Sequence, residues 1–218
     1  PNNKYDILKG IKFVYNKDKW ITEVDGILNN DEMIKIRQYI YHNDGKVKQI
    51  KDYENFLNKG SDYIERDYTY DSFDRVTTMK YFNSKDINKI LEQYDYQYDK
   101  NSNIVYEHEV FNYANNVKDE ETNYTYNSFN QLIKFVKKDN CTYKTTTCTY
   151  EYDSVGNRTY EGISESYITD ETSKVTCYFY EAGVLLYTTD ENSIKTSQNI
   201  IGHENNIFAT IRYSESEQ

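Results

Sequence analysis

One proline and 8 glycines among 218 residues leave no room for a collagen-like stretch or a flexible linker. No apolar run approaches the ~20 residues a membrane-spanning helix needs, so no membrane span is expected. The 3 cysteines, Cys141, Cys148 and Cys177, are too few and too odd in number for a disulfide framework, and free thiols are expected. No Cys-x-x-Cys occurs, and His42, His108 and His203 stand far apart, so no metal site and no cofactor are assigned. Positive charge is also short. A formal net charge of −10 argues against a nucleic-acid partner, which requires clustered lysine and arginine. The small basic group Lys134, Lys137 and Lys138 is flanked by acids and reads as a solvated strand face. The chain opens at Pro1 with no signal-peptide pattern, which reads as a piece of a longer protein and leaves location open.

Catalytic signatures are missing too. Serine, cysteine and histidine have no nucleophile-elbow or cysteine-protease context, and nothing marks a carboxylate pair of the glycosidase kind. No catalytic residue is assigned. Asp99-Lys100-Asn101-Ser102-Asn103 imitates the start of a calcium loop, but its sixth position is Ile104 rather than glycine and its twelfth Val110 rather than glutamate. The triplets at Asn123, Asn140 and Asn157 match a glycosylation acceptor and read as chance in an asparagine-rich chain.

What the chain has is tyrosine. Apolar residues make up 37% of the sequence, and 25 residues are tyrosine, so tyrosine must supply much of the burial with its hydroxyl reaching a partner at the edge. These rings recur. Residues 150–159 read YEYDSVGNRT, and with Tyr152 as position zero, equivalent aromatics stand at Tyr15, Tyr41, Tyr70, Tyr98 and Tyr126. The spacings are 26, 29, 28, 28 and 26, a period of about 28. Two residues earlier lie Phe13, Tyr39, Tyr68, Tyr96, Tyr124 and Tyr150. One residue later come Asn16, His42, Asp71, Asp99, Asn127 and Asp153. Position +4 holds Lys19, Gly45, Asp74, Ser102, Asn130 and Gly156, and position +6 is aliphatic in all but Arg158. A seventh copy follows at Tyr178 and Tyr180 with Glu181 and Gly183, one residue shorter before Leu185. A decayed copy is expected at 201–210, and an incomplete N-terminal remnant at Tyr5-Asp6.

Each feature has a local reason. Rings two apart share one face of a strand. Asp or Asn next to them suits the first corner of a type I turn, and Gly, Asn or Asp three residues later tolerates a left-handed backbone. A type I turn closed by a left-handed residue is a common hairpin connection, after which the aliphatic residue starts the returning strand. Segments 104–112 and 132–138 read as strands, while the polar stretches 61–67 and 115–121 read as returns to the next ring pair. Ile87, Ile90 and Leu91, like Met33, Ile36 and Ile40, have helical spacing, but their place in the repeat argues for strand, with a helical turn admitted near 86–91.

With Y-x-Y-D-x-x-G-N-R in place, the chain resembles the YD-repeat, or Rhs-repeat, family over about residues 11–190. The likeness is strongest at 150–158, with YTYDSF (68–73) and YTYNSF (124–129) behind it. Its period is longer than the family's usual one, nearer twenty residues, and its glycines are scarcer. The resemblance implies a very large secreted or cell-surface protein whose hairpins coil into a hollow β-shell. In bacterial toxins of the family that shell encloses a C-terminal toxic domain; in animal teneurins a related barrel serves adhesion. The autoproteolytic segment rich in Asp, Pro and Gly that ends many bacterial shells has no counterpart here, which implies an internal shell segment.

The expected fold is all-β: about fourteen strands in tandem antiparallel hairpins forming a continuous, curved or spiralling sheet, one array over 1–218 with clear repeats at 11–190 and the decayed one at about 195–213. The leading reading is a structural shell segment whose partners are neighbouring repeats and an enclosed C-terminal toxin. The alternative is an aromatic-rich module that binds a cell-surface glycan or protein through exposed rings such as Tyr106, Tyr143 or Tyr160. Against it, wall-binding repeats usually carry Gly-Trp signatures, and Trp20 is the one tryptophan.

Overall fold

The computed structural model describes residues 8–53, 62–113, 116–168, 170–202 and 206–213; the Tyr5-Asp6 remnant and His203 lie outside them. Every described element is a strand. In order they are β1 (Leu8–Tyr15), β2 (Ile21–Leu28), β3 (Met33–Tyr41), β4 (Val47–Tyr53), β5 (Tyr63–Tyr70), β6 (Val76–Asn83), β7 (Asp86–Tyr98) and β8 (Ile104–Tyr113). The second half holds β9 (Asn116–Tyr126), β10 (Leu132–Asp139), β11 (Lys144–Tyr152), β12 (Arg158–Tyr167), β13 (Asp170–Glu181), β14 (Val184–Thr189), β15 (Lys195–Ile201) and β16 (Ile207–Arg212). They follow one another in a single antiparallel meander in which each strand neighbours the next, with β1 and β16 outermost. Two compact units divide it, 1–97 with 108–119 and 98–107 with 120–218.

The expected all-β hairpin array is what the chain forms, with two corrections. There are sixteen described strands rather than fourteen, because β15 and β16 pair as a full hairpin, Asn199 facing Thr210 and Ile201 facing Ile207. The helical turn admitted near 86–91 is strand. Pairing with β6 supplies the backbone bonds that a short isolated helix would lack, and the helical spacing is absorbed by register shifts beside Phe82. The polar stretches read as returns also belong largely to strands: Arg66 of β5 pairs with Asp52, Lys118 of β9 with Glu109, and Glu120 with Lys137, so their charges are met across the sheet.

All six turns expected from the sequence are present with one geometry. The amide at position +1 donates to the carbonyl at +5, and the amide at +4 donates back to +1, as in Asp153 N to Asn157 O at 2.9 Å and Gly156 N to Asp153 O at 3.1 Å. Position +4 has a left-handed backbone in every copy: Lys19 (φ 65°), Gly45 (90°), Asp74 (65°), Ser102 (67°), Asn130 (60°) and Gly156 (95°). A register shift then inserts one extra residue on the returning strand opposite the ring strand, at Thr22, Lys48, Thr77, Ile133 and Thr159. The same shift follows at Leu186, Thr196 and Phe208 in the C-terminal hairpins. The seventh copy closes differently, through a two-residue loop in which Ala182 (φ 49°) and Gly183 (φ 79°) are both left-handed. That accounts for its missing residue.

Few side chains are fully buried. Leu28, Ile34 and Cys148 are the buried apolar residues among those described. Cys141 is exposed and Cys177 half-buried, and all three cysteines are free thiols. Burial is spread instead over half-covered rings, which leaves the turns and the strand-to-strand bonds to set the register.

The left-handed positions generate a test. Gly156 has room for a methyl group, with Gln131 Nε2 3.5 Å from an added Cβ, whereas at Gly45 the Trp20 ring stands 2.8 Å away. Gly156→Ala is therefore expected to cost about 1 kcal/mol of unfolding free energy from backbone strain alone, and Gly45→Ala measurably more. Ser102→Gly should stabilise by up to about 1 kcal/mol. Urea unfolding of the three variants reads all of this.

Candidate functional site

The residues singled out by the repeat converge on one recurring constellation at the turn end of each hairpin. The first part is the carboxylate or amide at position +1. Asp153 Oδ1 accepts from the amides of Val155 (3.0 Å) and Asn157 (2.8 Å), while its Oδ2 accepts from Asn157 Nδ2 at 2.8 Å. Asp71 does the same with Phe73 and Arg75, and Arg75 Nε donates to its Oδ2 at 2.8 Å. Asp99 repeats it with Asn101 and Asn103; Asn127 Oδ1 likewise accepts from the amides of Phe129 and Gln131, but its Nδ2 donates to Gln131 Oε1 at 2.7 Å. The calcium-like pattern at Asp99–Asn103 is thus a self-satisfied turn. Asn101 and Asn103 also donate to Asn130 Oδ1 of the next hairpin. His42 cannot play this part, and Asp44 Oδ1 receives the Lys46 amide instead.

These bonds hold the carboxylates in their charged form. The Arg75 side chain draws Asp71 below the usual carboxylate range, and the Asn157 side chain does so for Asp153.

The second part joins one hairpin to the next. Tyr41 Oη donates to the carbonyl of Ile21 at 2.6 Å, Tyr70 to Val47 at 2.8 Å, and Tyr152 to Leu132 at 2.8 Å. In each case the ring is at position zero and the acceptor is residue +6 of the preceding hairpin, next to the extra residue of the register shift. Tyr98, Tyr126 and Tyr180 are also half-buried at this position.

The third part is the ring at position −2. It faces residue +9 across its own hairpin: Tyr39 faces Ile50, Tyr68 faces Met79, Tyr124 faces Phe135, and Tyr150 faces Glu161. Residue +9 in turn faces position −4 of the next hairpin, as in Met79 with Tyr94 and Phe135 with Cys148. Rings therefore run in rows across the strands: Tyr81, Tyr94 and Phe111 at 6.2 and 5.7 Å, and Tyr124, Phe135 and Tyr150 at 6.3 and 6.4 Å. Tyr96 lies half-buried at the same position of its hairpin. Where residue +9 is glutamate it accepts from the ring hydroxyl of the following hairpin, Tyr124 to Glu107 at 2.8 Å and Tyr178 to Glu161 at 2.6 Å. Burial first, and then these bonds, raise the phenols: Tyr178 is pushed up to about 12, and Tyr124 also rises above the usual tyrosine range. Burial and the neighbouring Cys148 push Tyr150 up to about 12.

One turn residue escaped the sequence reading. Asp190 Oδ1 accepts from Asn192 and Ile194, both at 2.9 Å, and Ser193 is left-handed at φ 65°. Thr189 replaces the ring at position zero, so only Tyr187 at −2 is left of the aromatic pair that marks the other copies; that ring and the spacing Asp-x-x-Ser were the remaining signals. Among the described residues, no group of three or more His, Cys, Asp or Glu is placed to hold a metal ion. No helix among them is long and apolar enough to cross a membrane. Open grooves lie between successive turns; one of about 650 Å³ is lined by Phe129, Ile133, Tyr150, Tyr152 and Val155.

With this geometry in hand, the fold has a counterpart among solved structures. It is similar to part of the crystal structure of TcdB2-TccC3, with a TM-score of 0.57 and 15% identity, over 95% of this chain and 13% of that one. The TcdB2-TccC3 structure without its hypervariable C-terminal region matches with a TM-score of 0.56 and 15% identity, over 96% of this chain and 13% of that one. The chain thus spans about one eighth of the length of the proteins it resembles. No protein-family model matches the sequence, and no curated protein does.

The recurring constellation gives two expected outcomes. Tyr152→Phe removes one hydroxyl and leaves the Leu132 carbonyl without it, which should cost about 1 kcal/mol or somewhat more. Tyr143→Phe, at an exposed ring, should cost nearly nothing; chemical denaturation compares the two.

The second outcome is a pH dependence at both ends. The folded pKa of Asp71 and of Asp153 lies below its unfolded value, so their contribution is present above about pH 4 and fades as pH falls through the folded value. The tyrosines behave in the opposite sense. Tyr150 and Tyr178 contribute fully below the ordinary phenol value of about 10 and lose that contribution as pH climbs toward about 12. Denaturation midpoints against pH should fall at both extremes, and Asp153→Asn should flatten the acid limb without abolishing the turn.

Proposed function

We propose that this chain is structural: a segment of a secreted or cell-surface hairpin-repeat wall of the YD-repeat kind, whose partners are neighbouring repeats and, in a full-length protein, an enclosed C-terminal toxin. The observation that carries this reading is the tyrosine lock. In each hairpin where it is seen, the polar tip of the most prominent repeated residue is spent on the backbone of the hairpin before it. The turn carboxylates are likewise spent on their own loops. A side chain so committed is poorly placed to bind or turn over a substrate, and well placed to fix the pitch of an array.

The likeness to TcdB2-TccC3 supports the reading at the level of fold. It persists when the hypervariable C-terminal region is missing from that structure, so the matched part lies elsewhere in that protein. By analogy this chain is wall rather than cargo. The array would run over 1–218, with the Ile201–Ile207 hairpin as its last and most altered copy.

The purified chain is expected to show no turnover of glycan, peptide or nucleotide substrates, and no saturable binding across a panel of oligosaccharides. Saturable binding abolished by Phe129→Ala and Val155→Ala, the exposed residues beside the groove, would replace the wall reading with the glycan-binding one. Turnover abolished by a single carboxylate substitution would sink both.

A further inference from the structure

The tyrosine lock is the same wherever it is seen, a hydroxyl at position zero on a main-chain carbonyl at +6. It sets a pitch but cannot tell one hairpin from another. The facing pairs at +9 and −4 do not separate the first two seams either, since Val24 with Arg37 and Ile50 with Arg66 are the same kind of pair. What changes from seam to seam is a couple at the turn end. Residue +5 of one hairpin meets residue +4 of the next at four seams among the described residues. The Trp20 ring lies against Gly45, 2.8 Å from where a Cβ would stand. Lys46 Nζ pairs with Asp74 Oδ1 at 2.7 Å. Asn103 Nδ2 donates to Asn130 Oδ1 at 3.1 Å, and Gln131 Nε2 lies 3.5 Å from the Cβ position of Gly156.

Neither turn imposes these matches by itself. Position +4 is left-handed in every copy, yet it holds aspartate at 74 and asparagine at 130 as readily as glycine at 45 and 156. The turn does not demand glycine at 45; the Trp20 ring of the hairpin before it does. The +5 side chain also reaches back into its own loop. Asn103 Nδ2 donates to Asp99 Oδ2 at 2.9 Å, Gln131 Oε1 accepts from Asn127 Nδ2 at 2.7 Å, and Lys46 pairs with Asp44. One side chain thus ties its own loop to the next.

We propose that the couple of +5 and +4 specifies which hairpin follows which. The matches are ring on bare backbone, ammonium on carboxylate, amide on amide. Transposed neighbours break them: Trp20 set against Asp74 drives its ring into a side chain that Gly45 lacks, and Lys46 set against Gly45 loses one of its two carboxylates. Repeat arrays are prone to misassembly between similar units, and here the ladder and the lock would be satisfied in the wrong order too. The couples give each hairpin a preferred successor. This rests on the wall reading for its purpose, a fixed order of hairpins, but not for its chemistry.

The test transposes two couples in the whole chain without changing its composition. Trp20→Lys with Lys46→Trp mismatches both seams and is expected to lower the folding equilibrium constant about tenfold, read by urea unfolding. Adding Gly45→Asp and Asp74→Gly restores both matches in transposed order and is expected to recover most of that loss. A fourfold variant no more stable than the twofold one overturns the proposal, and so does a twofold variant as stable as the wild type. A milder cycle decides the matter if the transposed chains do not fold. Gly156→Asp should be about threefold less harmful beside Gln131→Lys than beside Gln131→Glu. It should be unaffected by Asn103→Lys, which lies one hairpin further off. Equal harm in the two Gln131 backgrounds, or equal rescue by Asn103→Lys, also overturns it. Such a failure leaves the lock and the wall reading standing, whereas saturable glycan binding would end the wall reading and leave the couples intact.

Discussion

The hydrogen bond from a position-zero tyrosine to the main-chain carbonyl of the preceding hairpin is the constraint on which the array rests. A sheet with so few fully buried side chains cannot set the pitch of its hairpins by core packing, which in thicker domains does that work. Ladder bonds alone tolerate slippage, since a strand displaced along its neighbour can re-form them. The tyrosine removes that freedom. Its hydroxyl reaches one carbonyl, at a point where the extra residue of the register shift interrupts the regular ladder. A displaced hairpin would bury the same ring without satisfying it.

Seen from this bond, the rest of each repeat has a reason. The carboxylate at +1 ties down the loop so that the +6 carbonyl is presented in one place. The left-handed residue at +4 lets the chain turn back within reach. The ring at −2 fills the space beside the lock and stacks on residue +9, which the next hairpin then covers. Charged pairs such as Arg37 and Arg66 converging on Asp52 knit three strands on the same face. Removing any one weakens the placement of the carbonyl more than it empties a core.

How much of this was legible in the sequence depended on how local the chemistry is. The turns were legible because an Asp or Asn side chain acts on amides two and four residues ahead, and that spacing is printed in the chain. The left-handed state of Lys19 and Ser102 was not evident from residue type, only from their place in the repeat. The partner of Asp71 at Arg75, or of Asp153 at Asn157, was visible as a recurring polar residue but had no role until the second carboxylate oxygen was placed. The tyrosine's acceptor was out of reach because it is main chain, which no side-chain pattern records. Asp190 was missed for the converse reason: the turn chemistry survived while the ring beside it had become Thr189.

That last case shows how such a fold persists while its residues change. The turn at His42 lacks the side chain that the others use, and Asp44 supplies the bond from two residues further on. Arginine, asparagine and glutamine each serve at +5, matched to Asp or Asn at +1. The +4 position accepts lysine, serine, aspartate, asparagine or glycine. Most of what is held constant is main-chain geometry, satisfied by interchangeable polar groups. Such a hairpin array can keep the same fold at 15% identity over nearly the whole of this chain, as its likeness to part of TcdB2-TccC3 shows. Positions free to vary along the strands can change without disturbing the hairpins, so the fold restricts the pitch of the array and leaves the faces of the sheet to vary.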